Sequence, residues 1–243
     1  MEKFIKEYNI RTYECDKNRN LRILTLMNIL QDMADSHASD LQLGLEFCLQ
    51  NGLAWVGSNY HLQIKRLPTL HENIKIVTWP SEEKKIGAVR DFGVYDEQGD
   101  MIIAASSQWV LIDFARKRPV SLKEHLPQYT VINERTLVTD FPKLPEPENA
   151  DCSRRFAVRF DDIDINKHVN NAVYPLWASE AVDHVFRDEH FPCEIEIAFK
   201  KECRLGEEVE VKTQTDGNVS LHSISALTDG RELARLRIKW QKI

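Results

Sequence analysis

The chain has 243 residues, of which 42% are hydrophobic and 29% are charged, so it can bury a sizeable core and does not have the composition of a disordered protein. Its formal net charge of −6 argues against general nucleic-acid binding, which requires a basic surface. The five cysteines include no CxxC pair, no signal-peptide pattern opens the chain, and no apolar run reaches the ~18 residues of a membrane helix. We therefore expect a soluble, cytoplasmic protein without disulfides, a bound metal or a membrane span.

The first half of the sequence reads as a strand, a helix and four further strands. Residues 4–15 are strand-like, and a polar turn at residues 16–20 follows. A helix is predicted over residues 21–43 from apolar residues at helical spacing, with Gly44 as its stop. The next four strands are predicted at residues 54–66, 72–81, 88–95 and 101–112, with a hairpin turn at residues 96–99.

The second half repeats this order after a proline-rich linker. Pro142, Pro145 and Pro147 exclude helix and central strand from residues 141–150, so domains are predicted at residues 1–140 and 151–243. In the second domain the strand-like residues 153–160 and a helix over residues 172–186 come first. Four strands follow at residues 194–201, 207–215, 220–227 and 232–241, with the matching hairpin turn at residues 228–230.

The two halves also match residue by residue. Leu62 corresponds to Ile197 at an offset of 135 residues, and Gly99 corresponds to Gly230 at an offset of 131. Apolar and polar residues alternate through these strands, which predicts sheets with one buried face. We therefore predict an α+β fold of two tandem domains, each with a long helix wrapped by an antiparallel sheet.

The densest run of polar and ionisable side chains is the segment DIDINKHVNN at residues 162–171, at the entrance of the second helix. It does not complete a calcium loop, because that loop needs Gly and an acid where Lys167 and Val173 stand. Two interpretations remain. The segment is either a polar turn that caps the helix, or a site in which free helix N–H groups assist chemistry.

A comparison of the halves bears on this choice. We align the helices by placing Met27 on Tyr174. In this alignment, residues of other types stand opposite Asp164, Asn166 and His168. Those opposite residues are Lys17, Arg19 and Leu21. Glu202 and Cys203 likewise stand where the first half has Leu67 and Pro68. This alignment predicts that the first half lacks the cluster, which favours a function over a turn that the fold requires.

Residues 162–171, with Tyr174, Trp177 and Glu180, resemble the signature of the acyl-acyl-carrier-protein (acyl-ACP) thioesterases of plants and bacteria. Further matching stretches are FKKEC at residues 199–203, IRTYE at 10–14, TLMNILQ at 25–31 and ASSQWV at 105–110. Because the chain begins almost at its first strand, it resembles the bacterial members more than the plant members, which carry a plastid-targeting extension.

The resemblance implies two tandem hotdog domains and hydrolysis of fatty acyl-ACP, which releases free fatty acid and holo-ACP and terminates fatty acid synthesis. It implies catalytic roles for Asp164, Asn166, His168 and Glu202, and Cys203 matches a position once regarded as a nucleophile. The acyl carrier protein is the implied partner, and no cofactor is implied. Two rival functions are considered: an acyl-coenzyme A thioesterase of the hotdog superfamily and a non-catalytic acyl-binding protein. A homodimer is a further option for the oligomeric state.

Two mechanisms fit these residues. In the first, Asp164 and Glu202 act with His168 to drive attack by water. In the second, the Cys203 thiolate attacks with His168 as its base, although a buried thiol is usually inert. Neither needs a metal, because a thioester carbonyl is already electrophilic. The predicted oxyanion donors are Asn166 and the free N–H groups of residues 169–171.

The acyl chain needs an apolar tunnel, which we predict along the first helix and the strand after it. The predicted lining residues are Met27, Leu30, Gln31, Ala34 and Trp55. The same residues also fit an ordinary core. Basic clusters that could dock an acidic carrier protein lie at residues 116–118, 154–155 and 200–204, although charge runs are more often plain solvated surface.

Overall fold

The computed structural model describes residues 2–243, and the chain divides into two compact units. The N-terminal unit is Met1–Asp140 and the C-terminal unit is Phe141–Ile243. No helix within residues 2–243 combines the length and the apolar content needed to cross a bilayer.

The N-terminal unit is an antiparallel sheet with a long helix, α1 (Ile23–Asp40), in its core. The sheet order is β1-β3-β4-β5-β2, and a short β6 pairs with β5. The strands are β1 (Phe4–Asn9), β2 (Leu53–Ile64), β3 (Asn73–Lys84), β4 (Gly87–Tyr95), β5 (Met101–Asp113) and β6 (Arg118–Pro119). Two short helices, α2 (Leu45–Gln50) and α3 (Leu122–His125), complete this unit.

Helix α1 forms because apolar side chains recur on one of its faces, and burial of that face stabilises it. Leu26, Met27, Leu30 and Met33 on this face are all fully buried. A second, smaller core joins α2 and α3 to the sheet. Its buried members are Leu43, Cys48, Leu53, Ala88, Leu111, Leu122 and Leu126.

The C-terminal unit has the same plan with a shorter helix. Its sheet order is β8-β11-β10-β9-β7, with antiparallel neighbours. The strands are β7 (Cys152–Ala157), β8 (His190–Phe199), β9 (Glu208–Asp216), β10 (Val219–Ala226) and β11 (Glu232–Lys242). Helices α4 (Val173–Glu180) and α5 (His184–Glu189) lie between β7 and β8 in sequence. The α+β class and the repeated helix-and-sheet layout are therefore as predicted.

Both helix predictions were wrong in detail, and helix α2 was not predicted. The helix predicted over residues 172–186 is divided into α4 and α5, because the Asp183 carboxylate caps a new helix by accepting hydrogen bonds from the N–H groups of Val185 and Phe186. Gly44 does not stop α1, which ends at Asp40. It is instead the N-cap of α2, a helix that the sequence analysis missed.

The first strand of each unit is shorter than predicted. β1 ends at Asn9 and is followed by a 3₁₀ turn at Thr12–Glu14, and β7 ends at Ala157 before a 3₁₀ turn at Phe160–Asp162. The offsets between the halves are also visible in the structure. β2 ends at Ile64 and β8 at Phe199, and the hairpin glycines Gly99 and Gly230 both adopt positive φ, of 85° and 71°.

Candidate active site

The loop at residues 162–171 is fixed at its start by a buried carboxylate. Asp162 is only 1% exposed and accepts hydrogen bonds from the Arg159 backbone N–H at 2.9 Å and from the Arg159 guanidinium at 2.6 Å. Its backbone carbonyl also accepts the N–H of Asn170 at 2.8 Å. Asp162 therefore anchors both ends of the loop and is occupied by structural contacts.

Asp164 organises the turn itself. Its Oδ1 atom accepts the backbone N–H groups of Asn166 at 2.8 Å and of His168 at 3.3 Å. The Asp164 N–H donates to the His168 carbonyl at 2.9 Å, and Lys167 adopts a positive φ of 65° at the tip. This is the side-chain-to-backbone turn that aspartate favours. Within the described chain, no group hydrogen-bonds to Oδ2 of Asp164, so that oxygen can contact a water molecule or a substrate.

His168 meets Glu202 directly. The His168 Nε2 atom lies 2.9 Å from the Glu202 Oε2 atom, and the two side chains are 28% and 55% exposed. A backbone hydrogen bond of 2.8 Å from Val169 N–H to the Cys203 carbonyl holds the two segments side by side. An imidazole bonded to a carboxylate in a partly exposed position can accept a proton from water and return it to a leaving group.

The predicted oxyanion donors are only partly free. The N–H groups of Val169 and Asn170 already donate to backbone carbonyls. Among the described residues, the Asn171 N–H has no hydrogen-bond acceptor, so it is the one backbone donor left in the predicted set. The Asn166 side chain is exposed on the same loop. Pro175 at the third position of α4 removes no helical hydrogen bond, because the first N–H groups of a helix have no internal acceptor.

Cys203 does not have the properties of a nucleophile. Its side chain is fully buried, and burial, followed by the neighbouring Glu207 carboxylate, raises the pKa of the thiol to about 12. The attacking species in thiol chemistry is the thiolate, which is scarce at neutral pH when the pKa is this high. These properties argue against the mechanism in which the Cys203 thiolate attacks.

One sequence prediction was wrong in an informative way. The N-terminal unit contains the same turn, built on Asp16. Its Oδ1 atom accepts the N–H groups of Asn18 and Asn20, both at 2.9 Å, and Arg19 adopts a φ of 67°. The Leu21 N–H donates to the Pro68 carbonyl at 2.8 Å, as Val169 does to Cys203. The matching offset is 148 residues, whereas the helix alignment used 147.

At the corrected offset, Asp164 and Asn166 have equivalents in Asp16 and Asn18. The fold therefore accounts for an aspartate at this position. Two of the four candidate catalytic residues still differ between the units. His168 takes the place of Asn20, and Glu202 takes the place of Leu67. His168 and Glu202 are also the pair in contact. The candidate catalytic residues that distinguish the C-terminal unit are therefore His168 and Glu202.

The predicted acyl-binding residues lie in two environments. Met27, Leu30 and Ala34 lie on the buried face of α1. Gln31 is half-buried and donates a side-chain hydrogen bond to the Met27 carbonyl at 3.3 Å. Trp55 packs against the smaller core and lies beside Tyr129, with ring centroids 5.9 Å apart.

Comparison with known proteins gives the class of protein. Residues 1–129 match the family described as the acyl-ACP thioesterase N-terminal domain, and residues 145–242 match the acyl-ACP thioesterase C-terminal domain. The chain belongs to the acyl-ACP thioesterase family.

Two curated relatives are plant enzymes. The chloroplastic acyl-acyl-carrier-protein hydrolase FATB3 of Cuphea viscosissima is 30% identical over 98% of this chain and 62% of its own length. The chloroplastic palmitoyl-acyl carrier protein thioesterase of Arabidopsis thaliana is 28% identical over 98% of this chain and 63% of its own length. The chain thus spans about three fifths of the length of these relatives.

Solved structures establish the fold over the whole chain. The 12:0-ACP thioesterase from Umbellularia californica is 24% identical, covers 99% of this chain and 98% of its own, and superposes with a TM-score of 0.88. An acyl-ACP thioesterase from Bacteroides thetaiotaomicron is 21% identical, with coverage of 98% for both chains and a TM-score of 0.89. The architecture is the tandem hotdog fold of these structures.

Proposed function

We propose that this protein hydrolyses the thioester of fatty acyl-ACP and releases free fatty acid and holo-ACP. Release of the acyl group terminates fatty acid synthesis. The observation that carries the proposal is the 2.9 Å contact between His168 and Glu202 beside the Asp164 turn. Family membership and the names of the relatives support acyl-ACP as the substrate class.

The chemistry proceeds by general-base attack of water. A water molecule held by Glu202 and His168, with Asp164 Oδ2 as a further hydrogen-bond acceptor, gives a proton to His168 as its oxygen attacks the thioester carbonyl carbon. The carbonyl oxygen becomes an oxyanion, which accepts hydrogen bonds from the Asn166 carboxamide and the Asn171 N–H. When the C–S bond breaks, the proton held by His168 passes to the carrier thiolate. Carboxylic acid and carrier thiol are the products, and the enzyme is returned unchanged.

The acyl chain is proposed to bind in the N-terminal unit. The buried face of α1 presents Met27, Leu30 and Ala34, with Gln31 at its margin. In this proposal the N-terminal unit selects the acyl group and the C-terminal unit carries the chemistry. A closed pocket lined by such residues discriminates chain length, since each methylene changes binding by about 0.8 kcal/mol.

A carrier-protein partner requires basic groups near the site. Lys201 and Arg204 are exposed on either side of the Glu202–Cys203 segment, and the Arg204 guanidinium lies 3.5 Å from the Glu202 carboxylate. Attraction between such exposed charges and an acidic carrier protein weakens with salt. Acyl-coenzyme A remains the second candidate substrate, because the same residues would perform the same hydrolysis on it.

One assay separates these functions. Free fatty acid release is measured over a series of chain lengths, with each acyl group presented on ACP and on coenzyme A. The proposal expects a higher kcat/KM on ACP, with a KM that rises with ionic strength. Preference for coenzyme A would favour the second candidate, and acyl binding without turnover on either carrier would identify a non-catalytic acyl-binding protein.

Two further points concern the cellular compartment and the oligomeric state of the protein. All five cysteines are unpaired, which fits action in a reducing compartment such as the cytoplasm. A homodimer is tested by light scattering at several protein concentrations.

A further inference from the structure

The Glu202 side chain is weakly restrained by its own contacts. It lies in the irregular segment between β8, which ends at Phe199, and β9, which begins at Glu208. Its side chain is 55% exposed, and its only described partners are His168 at 2.9 Å and Arg204 at 3.5 Å. Contacts of this kind between exposed charges contribute little free energy, so they do not by themselves fix the carboxylate in one position. Its position relative to His168 therefore depends on how the backbone of the segment is held.

One contact on this backbone is the Val169–Cys203 hydrogen bond, and a second comes from Arg231, which lies in the hairpin between β10 and β11. Its Nη2 atom donates to both Glu207 carboxylate oxygens, at 2.6 and 2.7 Å, and to the Glu202 backbone carbonyl at 3.2 Å. Its Nη1 atom donates to both oxygens of Asp229, at 2.9 and 3.0 Å. Glu207 in turn accepts the backbone N–H of Arg204 at 2.8 Å. One guanidinium thus ties the hairpin to both ends of the Glu202 segment.

The N-terminal unit shows which part of this arrangement the fold requires. There the equivalent carboxylate is Glu72, which accepts the Thr69 N–H at 2.9 Å, as Glu207 accepts that of Arg204. The arginine that clamps it is Arg66, at 2.8 Å, which also reaches the hairpin acid Asp96 at 3.0 Å. In this unit the arginine belongs to the loop and reaches the hairpin.

In the C-terminal unit the arrangement is reversed, since Arg231 belongs to the hairpin and reaches the loop. The position of Arg66 is taken by Lys201. The relocated arginine makes one bond that has no counterpart among the described residues of the N-terminal unit, the bond to the carbonyl of Glu202. At the equivalent place the N-terminal unit has Leu67, whose side chain carries no carboxylate to be aligned with an imidazole.

We propose that Arg231 is a positioning residue for the reaction: it fixes the Glu202 backbone so that the carboxylate meets His168. The inference rests on the proposed function. Lysine at position 231 would keep the charge but cannot form the two-pronged bonds of a guanidinium to Glu207, Asp229 and the carbonyl together. Both Arg231→Lys and Arg231→Leu are therefore informative, and Arg66→Leu is the matched control, because it removes the equivalent clamp from the other unit.

The variants are compared by steady-state kinetics on acyl-ACP and by thermal unfolding. Misplacement of a catalytic group by about 1 Å costs up to about a hundredfold in rate, so both Arg231 variants should lower kcat by about tenfold or more with KM nearly unchanged. Arg66→Leu should lower the melting temperature by a similar amount and leave kcat within about threefold of wild type. In a Glu202→Gln background, Arg231→Leu should have no further effect on kcat, because the two residues act as a unit.

The proposal is overturned if Arg231→Leu keeps wild-type kcat, if Arg66→Leu loses as much activity, or if the Arg231 effect is undiminished in the Glu202→Gln background. A wild-type turnover in Glu202→Gln itself would instead overturn the role given to Glu202 in the proposed function. Hydrogen exchange tests the clamp without reference to activity. Faster exchange at residues 202–206 in Arg231→Leu supports it, and unchanged exchange contradicts it.

Discussion

Asp16 and Asp164 make the same turn in the two units of the protein. Each accepts two backbone N–H groups through Oδ1, with distances of 2.9 and 2.9 Å for Asp16 and of 2.8 and 3.3 Å for Asp164. The shared geometry shows that an aspartate at this place is a property of the fold. The residues that distinguish the C-terminal unit are His168 and Glu202, and they lie in contact.

The paired aspartates allow the structural role of Asp164 to be measured separately from its chemical role. Asp16→Asn and Asp164→Asn keep an oxygen that can accept both N–H groups, so each should lower the free energy of unfolding by a similar small amount, about 1 kcal/mol. Because Asp164 Oδ2 is proposed to accept a hydrogen bond from the attacking water and so to orient it, Asp164→Asn should lower kcat by about a hundredfold, whereas Asp16→Asn should not. Denaturant unfolding and acyl-ACP kinetics on both variants provide the comparison. Equal and small effects of both substitutions on kcat would restrict Asp164 to holding the turn.

Cys203 should be dispensable for turnover. Because burial raises the pKa of its thiol to about 12, the thiolate is scarce at neutral pH. Cys203→Ala should therefore keep kcat within about threefold of wild type while losing some stability from the buried cavity. Activity should also survive treatment with a thiol-alkylating reagent under native conditions. A loss of about a thousandfold in a folded Cys203→Ala protein would restore the thiolate mechanism.

Much of this fold follows from sequence patterns, and the failures have local causes. Strands were found because alternation has a period of two and the hairpin turns contain Gly99 and Gly230, which adopt positive φ. The division of the second helix was missed because apolar spacing continues through it, whereas the Asp183 cap that restarts the helix is a single side chain. Periodicity describes a face and not the residue at which a helix begins.

Sequence patterns predict only part of the candidate site, because they do not fix the alignment of the two halves to the residue. The helix alignment with Met27 on Tyr174 was wrong by one residue, since apolar faces tolerate such a slip. Only the hydrogen bonds of Asp16 and Asp164 reveal the true correspondence. The contact between His168 and Glu202 came from the family resemblance. The role proposed for Arg231 had no signal in the sequence, because it depends on a hairpin returning to a distant loop.

Buried histidines should make the folded state sensitive to mild acid. Burial, and then the neighbouring Arg90, lowers the pKa of His37 to about 4, and burial lowers the pKa of His222 to about 3. The unfolded chain takes up these protons near pH 6.5, so it binds more protons than the folded state below that pH. The stabilisation is thus fully present above pH 6.5 and is lost as the pH falls, by about 2 kcal/mol per histidine between pH 7 and pH 5.

Urea unfolding at a series of pH values measures this effect. His222→Gln should reduce the slope between pH 7 and pH 5, because glutamine carries no proton to be taken up. A wild-type stability that stayed constant from pH 7 to pH 5 would contradict the neutral buried state of both imidazoles.

Filling the buried face of α1 should shorten the preferred acyl chain. Ala34 is 7% exposed on that face, so Ala34→Leu adds three carbon atoms to the region proposed to hold the chain. The product profile should move towards shorter fatty acids. Ala178→Leu, in the buried helix α4 of the C-terminal unit, is the control for overpacking, which by itself costs about 1–3 kcal/mol of stability. If both variants lose stability and neither changes the product profile, α1 is ordinary core.

The most direct test of the account is the rate of free fatty acid release from acyl-ACP by a double-mutant cycle of His168→Asn and Glu202→Gln. His168→Asn gives the C-terminal unit the residue that stands at Asn20 in the N-terminal unit, so the turn should still fold. Each single substitution should lower kcat by about a hundredfold or more, and the double variant should be no slower than the worse single one. Near-wild-type turnover in either single variant would contradict the assignment of thioester hydrolysis to this pair.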